Sequence, residues 1–596
     1  MTTAAVAAVR TRAARVGIAV TADGIALAAL GVFAVALVAL TWGTWGDLDN
    51  DTGHDFVAGT RFAHGELPYV DYAYYYGPLA PAALGLAVRL GGPGVGTFVA
   101  IGLAVAALIV LATYALARRF AGPVGGFLAA AITVPVAFAP HQFSYVLPHT
   151  SAATFGILTV LGVLLALTRL GRAGHAGWLV AAGTSAGLAA LTKPEFAFAA
   201  FAAIGAWLAA RAISGAAVGR RSAALLIAPA AIVPAAVYGA FLTRISLHRL
   251  LFDNLDPRDF LRAAGNMMLR AREPLTAGSF VSLGAKLALY ALGVAALLLV
   301  ARALGRGGRV RSAVIALLAL GCVVAVAAAA ADPEALRHGL KFAYGWIPAA
   351  AGIALVWSFL RLRRRDDRAA AADEVASLAA LTALAATTYA AFYAYSWNAQ
   401  MAVYVVPLAA VFLCRVHLVE LARVPNARLL GVLWLVLLTA AGAGLTLRDA
   451  QAESAAVHGP GGLLKTKPAQ AAVYRSALGW IEARTRRGEP ILVAPQLTWL
   501  YTVADRQNPL DQVSLLPGTL AAPGEEQAAI AQLERSHVRL AVIDRRTYPG
   551  YGHTSFGASF DRTLDRWLRR TFRRAAVLHA RGAASPTLEI WLRRNS

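Results

Sequence analysis

Cysteine is almost missing from this chain, with two in 596 residues, Cys322 and Cys414, both inside apolar runs. That excludes a disulfide framework and a cysteine-based zinc site. Charge is scarce too, at 15% against about 25% in soluble domains. Acids are fewer still, 32 against 55 Lys+Arg, which leaves a net charge of +23. Among the basic residues lysine is rare. What fills the space is apolar: 58% hydrophobic residues and a mean hydropathy of +0.59. Neither disorder nor a single soluble domain fits these values. Apolar runs of this length and number must face lipid. A sequence pI near 10.6 would suggest nucleic acid in a soluble protein. Here the basic charge is spread over short loops between apolar runs, with no soluble basic domain, so a nucleic-acid partner is not expected. Heavy use of Ala, Gly and Arg suggests a GC-rich bacterial genome.

Arg10, Arg12 and Arg15 precede the first apolar run, 24–43. The run is too long for a signal peptide and reads as a membrane anchor. Twelve more follow: 94–117, 124–140, 152–168, 177–192, 196–213, 222–243, 280–301, 312–331, 340–360, 375–395, 401–416 and 428–447. About thirteen transmembrane helices are therefore expected. With the N-terminus in the cytoplasm, every alternate loop is basic: Arg118 and Arg119, Arg169 and Arg172, Arg220 and Arg221, Arg302 to Arg311, Arg361 to Arg365, and Arg415 to Arg428. The positive-inside rule requires this alternation, and one missed helix would invert it. The expected domains are a cytoplasmic N-terminus over 1–23, a transmembrane domain over 24–447 and an extracytoplasmic domain over 448–596. The transmembrane domain carries outer loops at 44–93 and 244–279. The last domain shows alternating helical and strand patterns: helices over 468–487, 524–536 and 557–574, and strands over 490–494, 538–543 and 587–592. It reads as an α/β unit without a glycine-rich phosphate loop.

Chemistry is concentrated in the first outer loop. Asp47, Asp49, Asp51 and Asp55 follow helix 1 directly. Next come Gly65-Glu66-Leu67-Pro68-Tyr69-Val70-Asp71 and Tyr76-Gly77-Pro78-Leu79. Carboxylates at a membrane surface are costly unless solvated, paired or used. One use is a general base that takes a proton from a hydroxyl. The other is structural: Asp51 stands at the N-cap position of a helix over 52–63, and Asp55 in its first turn. The residues alone leave both readings open. Lys193, in Leu191-Thr192-Lys193-Pro194-Glu195, is a candidate phosphate contact or an interfacial lysine paired with Glu195. His141, His149, Arg244 and Arg258 are further outer-side candidates for an anionic ligand. Asp47-Leu48-Asp49 forms a D-x-D, a weak metal signal when alone.

Asp51, Gly65-x-x-Pro68-Tyr69-x-Asp71 and Tyr76-Gly77-Pro78-Leu79 resemble the first outer loop of the GT-C glycosyltransferases. The branch they resemble most is that of the protein mannosyltransferases and the lipid A aminoarabinose transferase. Tyr501 to Pro509, with Arg506-x-Asn508-Pro509, is similar to a segment of the outer domain in such proteins. The chain departs from the pattern at Thr52, where an acid is common. The resemblance implies a GT-C-like α-helical polytopic membrane fold with an extracytoplasmic α/β domain. It implies an inverting transfer of a sugar from a polyprenyl-phosphate donor to an acceptor hydroxyl at the outer face of the bacterial plasma membrane. The acceptor is a glycan, lipid or protein, and the sugar a hexose or pentose such as mannose or arabinofuranose. Asp51 then takes the role of base, with Asp49 and Asp55 as alternatives one helical turn apart. Lys193, His149, Arg244 and Arg258 are assigned to the donor phosphate. His54, Tyr69, Asp71, Tyr76 and His141 are assigned to substrate. That branch works without a metal, so no metal or other cofactor is expected. Two other readings predict different features. A transporter or flippase of lipid-linked precursors would show paired repeats and charges at mid-membrane. A polymerase or ligase of lipid-linked glycans would carry its large loop late in the chain.

Overall fold

The computed structural model describes residues 3–49, 51–141, 143–173, 175–255, 277–306, 308–332, 334, 337, 347–362, 368–392, 405–579 and 586–594. Helices occupy all thirteen apolar runs: α1 (Thr3–Leu40), α4 (Val95–Ala137), α5 (Ser151–Ala173), α6 (Gly177–Ala190), α7 (Pro194–Ile213), α8 (Arg220–Leu242), α9 (Ala277–Leu304), α10 (Arg309–Ala331), α11 (Ile347–Arg361), α12 (Arg368–Phe392), α13 (Val406–Arg415) and α14 (Ala427–Ala452). Two short helices, α2 (His54–Ala63) and α3 (Leu79–Gly91), lie between α1 and α4. Two expected runs merge in α4, whose 43 residues break at Gly122, where φ is 71°. A side chain there would meet the left-handed penalty, and Pro123 removes the next donor. Beyond the break the chain folds back, so that Gly126 lies against the Tyr114 carbonyl.

Eight helices among the described residues are long and apolar enough to cross a membrane. Their outward faces carry large apolar side chains such as Val32, Leu108, Ile232, Leu292 and Leu317, all more than half exposed. Water would not tolerate so wide an apolar belt, whereas lipid does. The chain is a multi-pass membrane protein. Inside, α12 packs along α7, α13 along α4, and α6 between α5 and α8.

The loops sort to two ends. At one end, Arg118 pairs with Asp23, Arg119 with Asp373 at 3.5 Å, and Arg415 with Glu374 at 2.6 Å. At the other end, the loop before α2, the turn before α5, the turn before α7 and the C-terminal unit meet. Trp45 donates to Phe138 O, Gly77 N to Thr192 O and Val95 N to Gly461 O.

The C-terminal unit begins with a hairpin, β1 (Ala455–Gly459) and β2 (Gly462–Thr466), then α15 (Pro468–Arg484). A four-stranded sheet follows in the order β3-β4-β6-β5, from β3 (Leu492–Ala494), β4 (Leu540–Asp544), β5 (Phe572–Leu578) and β6 (Leu588–Arg593). The β3–β4 pair is parallel and the other two pairs are antiparallel. Alternation builds three layers. Val493, Leu540, Val542 and Ile590 belong to the core that includes α15. Leu492, Ala541 and Ile543 belong to a second core with α17 (Glu525–Arg535) and α18 (Arg562–Thr571). The short α16 (Trp499–Ala504) follows β3. The expected helix over 557–574 is shorter, and Phe572 onward is strand β5. Pairing with β6 overrides the helical charge pattern there. The hairpin and α16 have no counterpart among the expected elements.

Candidate active site

Asp47, Asp49 and Thr52 are tied together after α1. Asp47 N donates to Thr52 Oγ1 at 2.5 Å, and Asp49 N to Asp47 Oδ1 at 3.0 Å. The expected cap of α2 is corrected here. Gly53, at φ 103°, is the N-cap residue, and the helix starts at His54. Asp51 contributes its backbone carbonyl to His54 N instead. Its carboxylate turns away from α2. Oδ1 accepts from Gln496 Nε2 at 3.2 Å, and Oδ2 lies 3.4 Å from His149 Nδ1.

Asp55 is buried and surrounded by donors. Thr150 Oγ1 lies 3.0 and 2.9 Å from its two oxygens, Ser151 N donates at 2.5 Å, and Tyr74 OH at 3.2 Å. It therefore caps α5 rather than α2. Asp49 is half-buried, held by Gln470 and Tyr474 of α15. Burial pushes its carboxyl above the ordinary range, against the opposing pull of Tyr474 and Arg546. His54 is pushed down by burial despite Asp55 and Asp51 nearby, so it is neutral at physiological pH. Its Nε2 has no partner among the described residues.

Asp51 and Asp55 line a narrow cleft whose other walls come from Phe98 and Val105 of α4, Leu147, and Phe155 of α5. Two carboxylates thus sit at the head of an apolar slot.

The two motifs that follow in the loop pack beside this region. Tyr69 lies at φ 69° and its hydroxyl donates to Tyr76 O. The Asp71 carboxylate accepts from Leu67 N at 2.7 Å, closing the Pro68–Asp71 turn. Gly77 crosses the turn before α7, where a Cβ would stand 2.2 Å from Leu191 O. No other residue fits that approach. This crossing brings Tyr76 to Lys193, whose ammonium lies 5.1 Å from the ring centre and 3.5 Å from Glu195 Oε1. Tyr76 packs edge-on to Tyr74, 5.7 Å between ring centres, and Tyr74 reaches Asp55. Lys193 is thereby linked to Asp55 through two aromatic rings.

His141 stands in the same turn region as His149, but its Nδ1 accepts from Phe143 N at 3.0 Å. Burial, with Arg337 adding to it, pushes its pKa down to about 4. Arg244 is exposed at the end of α8. Arg258 lies outside the described residues, as does most of loop 244–279. Sequence reasoning missed the partners supplied by the C-terminal unit, Gln470, Tyr474, Gln496, Arg546 and Tyr548. They lie more than 400 positions from the loop, and nothing in their local sequence marks them.

No protein-family model matches the sequence, and no curated protein is similar to it. Among solved structures, the chain is similar to the Archaeoglobus fulgidus oligosaccharyltransferase tethered with an acceptor peptide. The TM-score is 0.48 at 14% identity, covering 93% of this chain and 72% of that one. It is also similar to AglB from the same organism in complex with an inhibitory peptide and a dolichol-phosphate, at TM-score 0.46 and 15% identity, covering 88% and 69%. A third is ArnT from Cupriavidus metallidurans bound to undecaprenyl phosphate, at TM-score 0.40 and 14% identity, covering 95% and 97%. These likenesses carry no residue role to this chain.

Proposed function

We propose that this protein is an integral-membrane, GT-C-type glycosyltransferase. It moves a sugar from a polyprenyl-phosphate donor to an acceptor hydroxyl at the outer face of the plasma membrane. The observation that carries the reading is the placement of Asp51. It is a carboxylate at the head of an apolar cleft, oriented from both sides by His149 and Gln496. Asp55 and Asp49 stand beside it with their oxygens taken up by structural donors.

In this reading the acceptor oxygen attacks the anomeric carbon while its proton passes to Asp51. The bond between that carbon and the phosphate oxygen breaks, and the electron pair leaves with the polyprenyl phosphate. A single displacement inverts the anomeric centre. Negative charge grows on the leaving phosphate, and a positioned cation lowers that barrier. Lys193 is the cation we assign to it, with His149 beside Asp51; Arg244 and Arg258 of the 244–279 loop are the further residues assigned to the phosphate. Tyr69, Asp71 and Tyr76 shape the floor under the sugar, and His54 and His141 flank it. The acceptor is a glycan, lipid or protein, the transferred sugar a mannose or arabinofuranose, and the chemistry needs no metal. The alternating basic loops support a site on the outer side and an arginine-rich end in the cytoplasm.

The test uses membranes containing the full chain, supplied with radiolabelled polyprenyl phosphomannose in one arm and polyprenyl phosphoarabinose in the other. Chain-dependent loss of label from one lipid, abolished by Asp51→Asn, is the expected result. Consumption of neither donor, or full activity in Asp51→Asn, would overturn the proposal.

A further inference from the structure

The C-terminal unit meets the aspartate loop along one edge. Its parallel pair β3–β4 ends at Ala494 and Asp544, and the chain leaves both strands toward segment 48–53. The carboxyl ends of parallel strands are where side chains from separate loops converge. From the β3 exit come Gln496 and Trp499, and from the β4 exit Arg546 and Tyr548. Trp499 Nε1 donates to Leu48 O at 2.8 Å, and Arg546 Nη1 donates to Asp49 O. Gly53 presses so closely on this edge that a Cβ would stand 2.1 Å from Trp499 N.

Gln496 is the member of this set that touches Asp51. It is 5% exposed, so its amide has little water to turn to. Its Nε2 donates to Asp51 Oδ1 at 3.2 Å, and its Oε1 accepts from Tyr548 OH at 3.3 Å. The second contact decides the first. A tyrosine hydroxyl that donates to the amide oxygen forces the amide nitrogen to face Asp51. Tyr548 itself is buried, and burial keeps its hydroxyl protonated and able to donate.

We propose that the C-terminal unit completes the active site. Gln496, with its amide fixed by Tyr548, is the positioning residue that aims Asp51 at the acceptor. This rests on Asp51 being the base. The unit is then more than a cover or a packing element, because the carboxylate is fully oriented only when the β3–β4 edge is docked on the loop. Misplacement of a catalytic group by about 1 Å costs on the order of a hundredfold in rate.

The experiment uses the full-length protein in two readouts. In the first, the carboxylate infrared band of Asp51 is isolated as the band lost in Asp51→Asn. Gln496→Ala is expected to move that band, and Tyr548→Phe to move it the same way by less. In the second, with the labelled polyprenyl donors above, Gln496→Ala is expected to lower kcat about tenfold or more while donor KM stays within about twofold. Gln496→Glu, which keeps the shape but turns the donor into a carboxylate, is expected to lose more than Gln496→Ala. A band that neither Gln496→Ala nor Tyr548→Phe moves would overturn the inference and leave the base assignment standing. Full turnover in Asp51→Asn would remove the base assignment itself, and the role of Gln496 with it.

Discussion

The Lys193 ammonium faces the Tyr76 ring at 5.1 Å between nitrogen and ring centre. The contact joins the Tyr-Gly-Pro-Leu segment to the turn before α7, two stretches that share no local sequence signal. A cation held between a ring and the Glu195 carboxylate is ready to turn to an incoming phosphate at small cost. Replacing Lys193 with Met keeps the packing and removes the charge. Donor KM is expected to rise about tenfold and kcat to fall, because the lost contact strengthens in the transition state. Lys193→Arg should recover part of the activity. Steady-state kinetics on the labelled donor check this, and unchanged constants in Lys193→Met would exclude a phosphate role.

The three aspartates of the loop are expected to separate by phenotype. Asp51→Asn should lower turnover by about a hundred- to ten-thousandfold, the usual worth of a general base, with little change in thermal unfolding. Asp55→Asn should instead destabilise the protein by about 1–3 kcal/mol, since its carboxylate accepts from Ser151 N, Thr150 and Tyr74 in the interior. Asp49→Asn should loosen the C-terminal unit, because Gln470 and Tyr474 of α15 both lose a charged acceptor. Turnover and unfolding temperature measured side by side on the three variants distinguish these outcomes. A stable, inactive Asp55→Asn would move the base.

Much of this arrangement is legible in the sequence. The apolar runs locate the helices, eight of which among the described residues are long and apolar enough to span, because lipid imposes a strong length rule. The Pro68–Asp71 motif is legible too, since Asp71 serves a local turn. Asp51 is ambiguous without the fold: helix capping and catalysis place an acid at the same spot, and only the turn of its side chain toward His149 separates them. The contribution of the C-terminal unit is not legible. Gln496 is an ordinary glutamine until β3 and β4 pair and bring it to the loop. Strand β5 is missed for a related reason. Arg573 and Arg574 fall inside the helix expected over 557–574 until Leu592 and Trp591 of β6 pair with them.

Chelation should leave turnover unchanged. The D-x-D of Asp47 and Asp49 has the spacing of a metal site, but Asp49 gives both oxygens to Gln470 and Tyr474, and Asp47 spends one on the Asp49 amide. A metal would have to displace the contacts that dock α15. Activity in the presence of EDTA, compared with activity after added Mn²⁺ or Mg²⁺, checks this. Loss with EDTA that either ion restores would assign a metal to the reaction.

The soluble unit carries one stability prediction that is independent of catalysis. Asp561 is buried, its Oδ2 has no partner among the described residues, and burial with the nearby Glu526 and Glu525 raises its pKa to about 8. An unfolded aspartate titrates near 3.9. Between these two values the unfolded chain releases a proton that the folded chain keeps, so rising pH favours unfolding across that window. Below about pH 4 both states are protonated and the penalty vanishes; above about pH 8 both are ionised and it is constant. Asp561→Asn removes the titration and keeps a residue that tolerates the φ of 49° found there. The variant is therefore expected to be more stable than the parent at pH 8, by up to a few kcal/mol, and about equal to it at pH 4. Thermal unfolding of the full chain in detergent at the two pH values reads the difference. A gain of the same size at both would show that the carboxyl stays ionised in the fold.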